Sequence, residues 1–171
     1  MLLIGMVVLL AAACTASTPA LINKPMSEGF AIYLVAQKLA TNEILEVNLS
    51  GLELEKKPIL SNADIIAYSK DTHEIELTPS AYERIGQLKI PTSGLPFVVC
   101  VDRQPIYGGA FWVGYSSQSF NGIVIDALYA QQNLPIRIQL GYPESPELFM
   151  GEDLRSDPRI MQALEKAGKL R

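Results

Sequence analysis

The sequence predicts a single α+β domain: a mixed, mostly antiparallel sheet of about six strands carrying two or three short helices. Three observations point there. Short β-branched runs recur with turn residues between them. Cap-then-proline pairs, Thr78-Pro79 and Asp157-Pro158, open helical patterns. No internal repeat or low-complexity tract interrupts the series. The chain has 171 residues, enough for one sizeable core.

The domain is expected to span residues 29–171. Phe30-Ala31-Ile32-Tyr33-Leu34-Val35 is nearly all apolar and reads as a central strand. Leu45, Val47 and Leu49 alternate with polar residues, as do Leu52 and Leu54. The phase slips at Ser50-Gly51, which places a bulge or turn there. Ser61 and Asp64 have capping-box spacing and predict a short helix through about Tyr68. Residues 73–77 alternate as a strand. Thr78-Pro79 then starts a helix with Tyr82, Ile85 and Leu88 on one face. Residues 97–101 and 106–113 are strands about the turn Asp102-Arg103-Gln104-Pro105, with a bulge expected at Gly108-Gly109. Residues 123–125 and 136–140 are further strands. The last helix follows Asp157-Pro158, carries the stripe Ile160, Ala163, Leu164 and Ala167, and closes at Gly168.

The N-terminal residues carry an address. Met1–Ala13 is an uncharged apolar run, too short to span a bilayer but of the length of a signal-peptide core. Small residues Ala11-Ala12-Ala13 precede Cys14, and the polar stretch Thr15–Pro19 follows it. Residues 1–13 therefore read as a signal peptide, Cys14 as the lipid-attachment cysteine, and residues 14–28 as that cysteine and a flexible tether. An ordinary signal peptide cut nearby, or a retained N-terminal anchor, is the alternative. Ala11-Ala12-Ala13-Cys14 resembles a bacterial lipobox, and the chain as a whole resembles the small uncharacterised lipoproteins of bacterial genomes. That resemblance implies export and a lipid anchor in the cell membrane, or in an outer membrane where one exists.

The net charge of −4 offers no footprint for nucleic acid and no polybasic hold on anionic lipid, so attachment rests on acyl chains. If Cys14 is acylated, Cys100 has no partner in the chain; the alternative is a Cys14–Cys100 disulfide, which an exporting compartment permits. The setting of Cys100, Phe97–Val101, suits a small buried hydrophobe.

No catalytic set assembles from the sequence. His73 is the only histidine, so the common zinc-ligand sets cannot form, and no metal or cofactor is expected. Ser116 and Ser117 lie in the polar run Tyr115–Ser119, without a Gly-x-Ser-x-Gly elbow. Gly108-Gly109 lacks the spacing of a phosphate loop, and Glu144, Glu147, Glu152, Asp153 and Asp157 lack that of a calcium loop. Glu53, Glu55, Glu74 and Glu76 read as the wet half of strand alternations.

The aromatic residues Tyr107, Phe111, Trp112, Tyr115 and Phe120 crowd one short stretch. Either Tyr107, Trp112, Tyr115 and Phe120 offer a binding surface, or the sheet is covered on both faces and the aromatics are core. The function expected is a membrane-anchored, extracytoplasmic binding module of the cell envelope, not an enzyme, with an envelope protein or ligand as partner. An envelope hydrolase with an unrecognised site and a structural accessory of a membrane complex are the alternatives.

A further likeness covers under a third of the chain. Asp64-Ile65 is followed by Ile75-Glu76-Leu77-Thr78 and a helix containing Ala81. Then come Pro96–Asp102, a turn, and Pro105-Ile106-Tyr107-Gly108-Gly109-Ala110-Phe111. This order resembles the first periplasmic domain of SecD, the protein-export accessory subunit. The resemblance implies a shared α/β substructure and no proton-driven export role.

Overall fold

The computed structural model describes residues 28–171. Cys14, the proposed signal peptide and the tether up to Ser27 lie outside the described residues.

Eight strands form one mixed sheet: β1 (Phe30–Leu34), β2 (Leu60–Ser61), β3 (Ile65–Tyr68), β4 (Glu74–Leu77), β5 (Leu95–Val101), β6 (Gln104–Trp112), β7 (Phe120–Asp126) and β8 (Ile136–Tyr142). Three α-helices join them: α1 (Pro79–Gly86), α2 (Ala127–Gln131) and α3 (Pro158–Lys166). The α+β class thus holds, with more strands than the six or so expected. The strand order is β2-β1-β5-β6-β7-β8-β4-β3. Only β6 and β7 run parallel; every other neighbouring pair of strands is antiparallel.

β2 and β3 occupy opposite ends of that order, yet only the single 3-10 turn Asn62–Asp64 separates them in the chain. The sheet must therefore curl until its two edges nearly meet. Phe30 on β1 and Tyr68 on β3 make edge-to-face contact across the curl, with ring centroids 6.4 Å apart. The chain's last residues add to the β3 edge: Tyr68 N donates to Lys169 O, and Arg171 N donates to Tyr68 O.

Strand alternation divides the side chains between two cores. Phe30 and Ile32 of β1, Phe97 and Val99 of β5, and Ile123 and Ile125 of β7 point inward. They meet Ala81, Tyr82 and Ile85 of α1, Ala127 and Ala130 of α2, and Ile160 and Leu164 of α3. Ala31, Tyr33, Val98, Cys100, Ala110, Trp112 and Val124 point outward, but not to water. Residues 36–55 lie across this face as a strap, and Leu39, Val47, Leu49, Leu52 and Leu54 pack onto it.

Three local expectations are corrected. The alternation at residues 45–54 is not a pair of strands. It begins where the 3-10 turn Thr41–Leu45 ends and contains the 3-10 turn Leu49–Gly51, and only Leu54 makes a bridge, to Val35. A strap with one side on the sheet produces the same period as a strand. The Asn48 side chain accepts from Ser50 N and turns the backbone away from a ladder. Second, the capping box at Ser61 exists, with Ser61 N and Oγ each 2.8 Å from Asp64 Oδ2, but it closes one turn rather than a helix. Ile65 and Tyr68 instead pair with Leu77 and Ile75. Pairing at the sheet edge outweighs a helix too short to sustain itself. Third, the bulge falls between Val99 and Cys100, opposite Pro105–Tyr107, and not at Gly108-Gly109. Pro105 brings no N–H to the ladder there. The glycines answer to close approach: a β-carbon on Gly108 would lie 2.6 Å from Ile44 Cγ1, and one on Gly109 2.6 Å from Ile123 O.

Candidate functional site

The strap decides the fate of the aromatic cluster. Trp112 is 1% exposed, Tyr107 5% and Phe120 6%, so these three form no open surface. Tyr115 is 77% exposed and is the only one of the four that meets solvent freely. The reason is the cover on both faces of the sheet. Tyr107 belongs to the inner core, while Trp112 and Phe120 belong to the outer one.

What the cluster builds is the wall of a cleft. Trp112, at the end of β6, stacks on Phe120 at the start of β7, with centroids 5.6 Å apart and rings 17° from parallel. Tyr142 leans on the same indole at 5.5 Å. Beside this stack lies a cleft of about 380 Å³, bounded by Leu39 and Thr41 of the strap, Ser93-Gly94 before β5, and Gln118-Ser119 before β7. That volume lies within the range of small-molecule sites. Among the described residues no charged side chain lines it.

Local chemistry holds the walls. Thr41 Oγ1 donates to Gly94 O at 3.2 Å, which ties the strap to the β5 entry. Gly94 has φ +84°, and a β-carbon there would overlap Trp112 Cζ3 and lie 2.6 Å from Cε3. Glycine is thus required twice, for the backbone angle and for the indole edge. The polar loop that follows β6 is fastened at both ends. Ser116 Oγ donates to Thr92 O at 2.6 Å and accepts from Gln118 N at 3.1 Å. Tyr142 Oη donates to Gly114 O at 2.8 Å. The Ser116 hydroxyl is committed to structure, and His73, the chain's one histidine, is bonded elsewhere.

His73 lies just before β4 with φ +55° and is buried. Its Nδ1 is 3.0 Å from Tyr68 Oη, which also donates to Arg155 O at 3.3 Å. Arg155 in turn grips Asp153 through two guanidinium nitrogens, each 2.8 Å from a carboxylate oxygen. Burial lowers the His73 pKa, and the Arg155 cation lowers it further. Burial raises the pKa of the Tyr68 hydroxyl and that of the Tyr107 hydroxyl. The Tyr107 hydroxyl has no hydrogen-bond partner among the described residues, nor has Trp112 Nε1.

Cys100 is buried in the outer core, and burial pushes its thiol pKa up to about 11. It is packing, not a nucleophile. Among the described residues no group of His, Cys, Asp and Glu could hold a metal ion, and no helix is long and apolar enough to cross a membrane. The acidic tail is partly spent on neighbours: Glu144 pairs with Arg137, Asp153 with Arg155, and Asp157 with Arg159. Asp157 also caps α3 through Arg159 N at 2.8 Å.

Sequence reasoning found Trp112 and Phe120 but not their partners in the cleft. Thr41 had no signal, because its role depends on where the strap lies. Ser93-Gly94 ahead of an apolar strand was a readable turn signal. Comparison of the chain with protein-family models, curated proteins and solved structures gave no match.

Proposed function

We propose that the chain is an exported, lipid-anchored domain that binds an uncharged envelope ligand in the cleft beside Trp112. The anchor reading is supported by the apolar run before Cys14 and the polar residues after it. The binding reading rests on one observation: a cleft of about 380 Å³ walled by stacked aromatic rings and by neutral hydroxyl and amide groups, with no charged side chain among the described residues. Such a lining discriminates against ions, which would lose hydration without gaining a counter-charge. It suits a molecule that presents hydroxyls or amides on an otherwise apolar frame. Tyr115, exposed on the loop between β6 and β7, is available to a larger ligand in this cleft.

A binding module fits better than a hydrolase, because Ser116 serves the loop and His73 serves Tyr68. The order strand, helix, strand, strand over residues 74–112 supports the substructure that the SecD resemblance implies, and it carries no functional claim.

Trp112 is the only tryptophan in the chain, so its emission reports on this cleft alone. Titration with neutral N-acetylated oligosaccharides should shift or quench that emission in a saturable way, and Gln118→Ala should weaken the response. Anionic oligosaccharides of the same length should do nothing. Equal responses to both series, or a saturable response that Gln118→Ala leaves intact, would remove the cleft as the site.

A further inference from the structure

A second cleft, of about 210 Å³, lies between the strap and residues 149–154. Ile44, Leu45 and Val47 form one wall, and Phe149, Met150 and Leu154 the other. Its floor is bare backbone where β6 and β7 run side by side. Gly108 and Gly122 sit one step before the paired residues Gly109 and Ile123. A β-carbon on Gly108 would strike Ile44 Cγ1 at 2.6 Å, and one on Gly122 would strike Phe120 Cζ at 2.6 Å. The glycines therefore keep the floor low, so that the apolar walls can stand on it.

Two features set this cleft apart from ordinary packing. Its rim exposes large apolar side chains, Leu45 at 38% and Met150 at 67%, which a folded domain gains nothing by showing to water. Its charge is of one sign. Among the described residues Glu152 is the only charged one in the lining, and Glu46 stands between the lining residues Leu45 and Val47. Both carboxylates are exposed, and neither has an ion-pair partner among the described residues. The nearest cation in sequence, Arg155, is engaged by Asp153 and by Ile138 O.

We propose that this cleft docks a basic, amphipathic segment of a partner protein. One aliphatic side chain of the segment lies between Leu45 and Met150, and a flanking Lys or Arg meets Glu46 and Glu152. The aliphatic group supplies the buried anchor, the unbranched Met150 adapts to its shape, and the carboxylates select the sign of the partner. The site is separate from the Trp112 cleft and does not rest on the lipid anchor.

The test uses the purified full chain in lipid-free solution, with each peptide alone as the blank. The probe is a fluorescein-labelled peptide of alternating lysine and leucine. Lysine–serine and glutamate–leucine peptides of equal length serve as comparisons. The lysine–leucine peptide should bind at least about tenfold more tightly than either of the others. Met150→Ser and Glu152→Lys should each weaken it several-fold, and Tyr115→Ser should leave it unchanged. Both altered residues are exposed, and an unchanged Trp112 emission spectrum verifies that each variant is folded. A benzophenone in place of the central leucine should cross-link to the segments 44–49 or 149–154. Equal binding of the lysine–serine peptide, insensitivity to both variants, or cross-links confined to other segments would each overturn the proposal.

Discussion

Gly94→Ala strikes the point where strap, sheet and indole meet. At φ +84° any L side chain is strained, by about 1 kcal/mol. The new β-carbon also arrives 2.6 Å from Trp112 Cε3 and 3.1 Å from Thr41 Cγ2. The indole cannot retreat, because Phe120 and Tyr142 already press on it at 5.6 and 5.5 Å. Overpacking of this kind costs about 1–3 kcal/mol. Together the two effects come to roughly 3 kcal/mol, which for a domain of this size lowers Tm by about 6–12 °C. Trp112 emission followed through thermal and urea unfolding reads both the loss and its location. Gly51→Ala is the matched control. A β-carbon there meets nothing within 4 Å, and the change should stay within about 0.5 kcal/mol. A Gly94→Ala protein with the wild-type Tm and emission maximum would refute the placement of the strap against the indole, and with it the cleft.

Other outcomes follow from the buried polar groups. Burial and then Arg155 depress the His73 pKa, while Asp153 and Asp71 act in the opposite sense. The unfolded chain then binds the proton more readily. Stability should be full above the ordinary histidine value near 6.5 and should fall as pH drops from there towards the folded pKa. Melting curves at pH 7.5 and 5.5 should show this slope, and His73→Asn, which tolerates the positive φ, should flatten it. Tyr107→Phe removes a buried hydroxyl with no partner, so urea unfolding should show no loss, or a gain of up to about 1 kcal/mol; a loss beyond that would show that the hydroxyl is satisfied. At Asp64, burial raises the carboxyl pKa, but hydrogen bonds from Arg84 and Ser61 overcome it and the net shift is downward. Asp64→Asn should therefore cost about 1–2 kcal/mol at neutral pH, with the difference from wild type shrinking as pH falls below the ordinary carboxylate range.

The parts of the fold that could be read in advance are those whose signals are local. Thr78-Pro79 and Asp157-Pro158 mark the starts of α1 and α3 because proline's missing N–H fits the first turn of a helix. The apolar runs at residues 30–34 and 97–101 give β1 and β5 because both of their faces are buried. α2 also had a local signal, the Asp126 side chain accepting from Leu128 N, but at five residues it was too short for its period to show. What escaped depends on distant pairing. Ile65-Ile66-Ala67-Tyr68 is a strand only because β4 and the C-terminal residues flank it. Leu45–Leu54 looks like strands because the outer face of the sheet imposes period two on whatever covers it. The candidate site shows the same division. Trp112 and Phe120 stood out by composition, but only the strap decides that they wall a cleft rather than form a surface.

The lipid anchor is the proposal on which the protein's address depends, and intact mass spectrometry of the protein extracted from membranes tests it most directly. A lipid anchor requires a chain that begins at Cys14 and carries the added mass of acyl groups, with the excess confined to the N-terminal peptide. A chain that retains Met1, or one that begins near residue 14 with Cys14 unmodified, would contradict it.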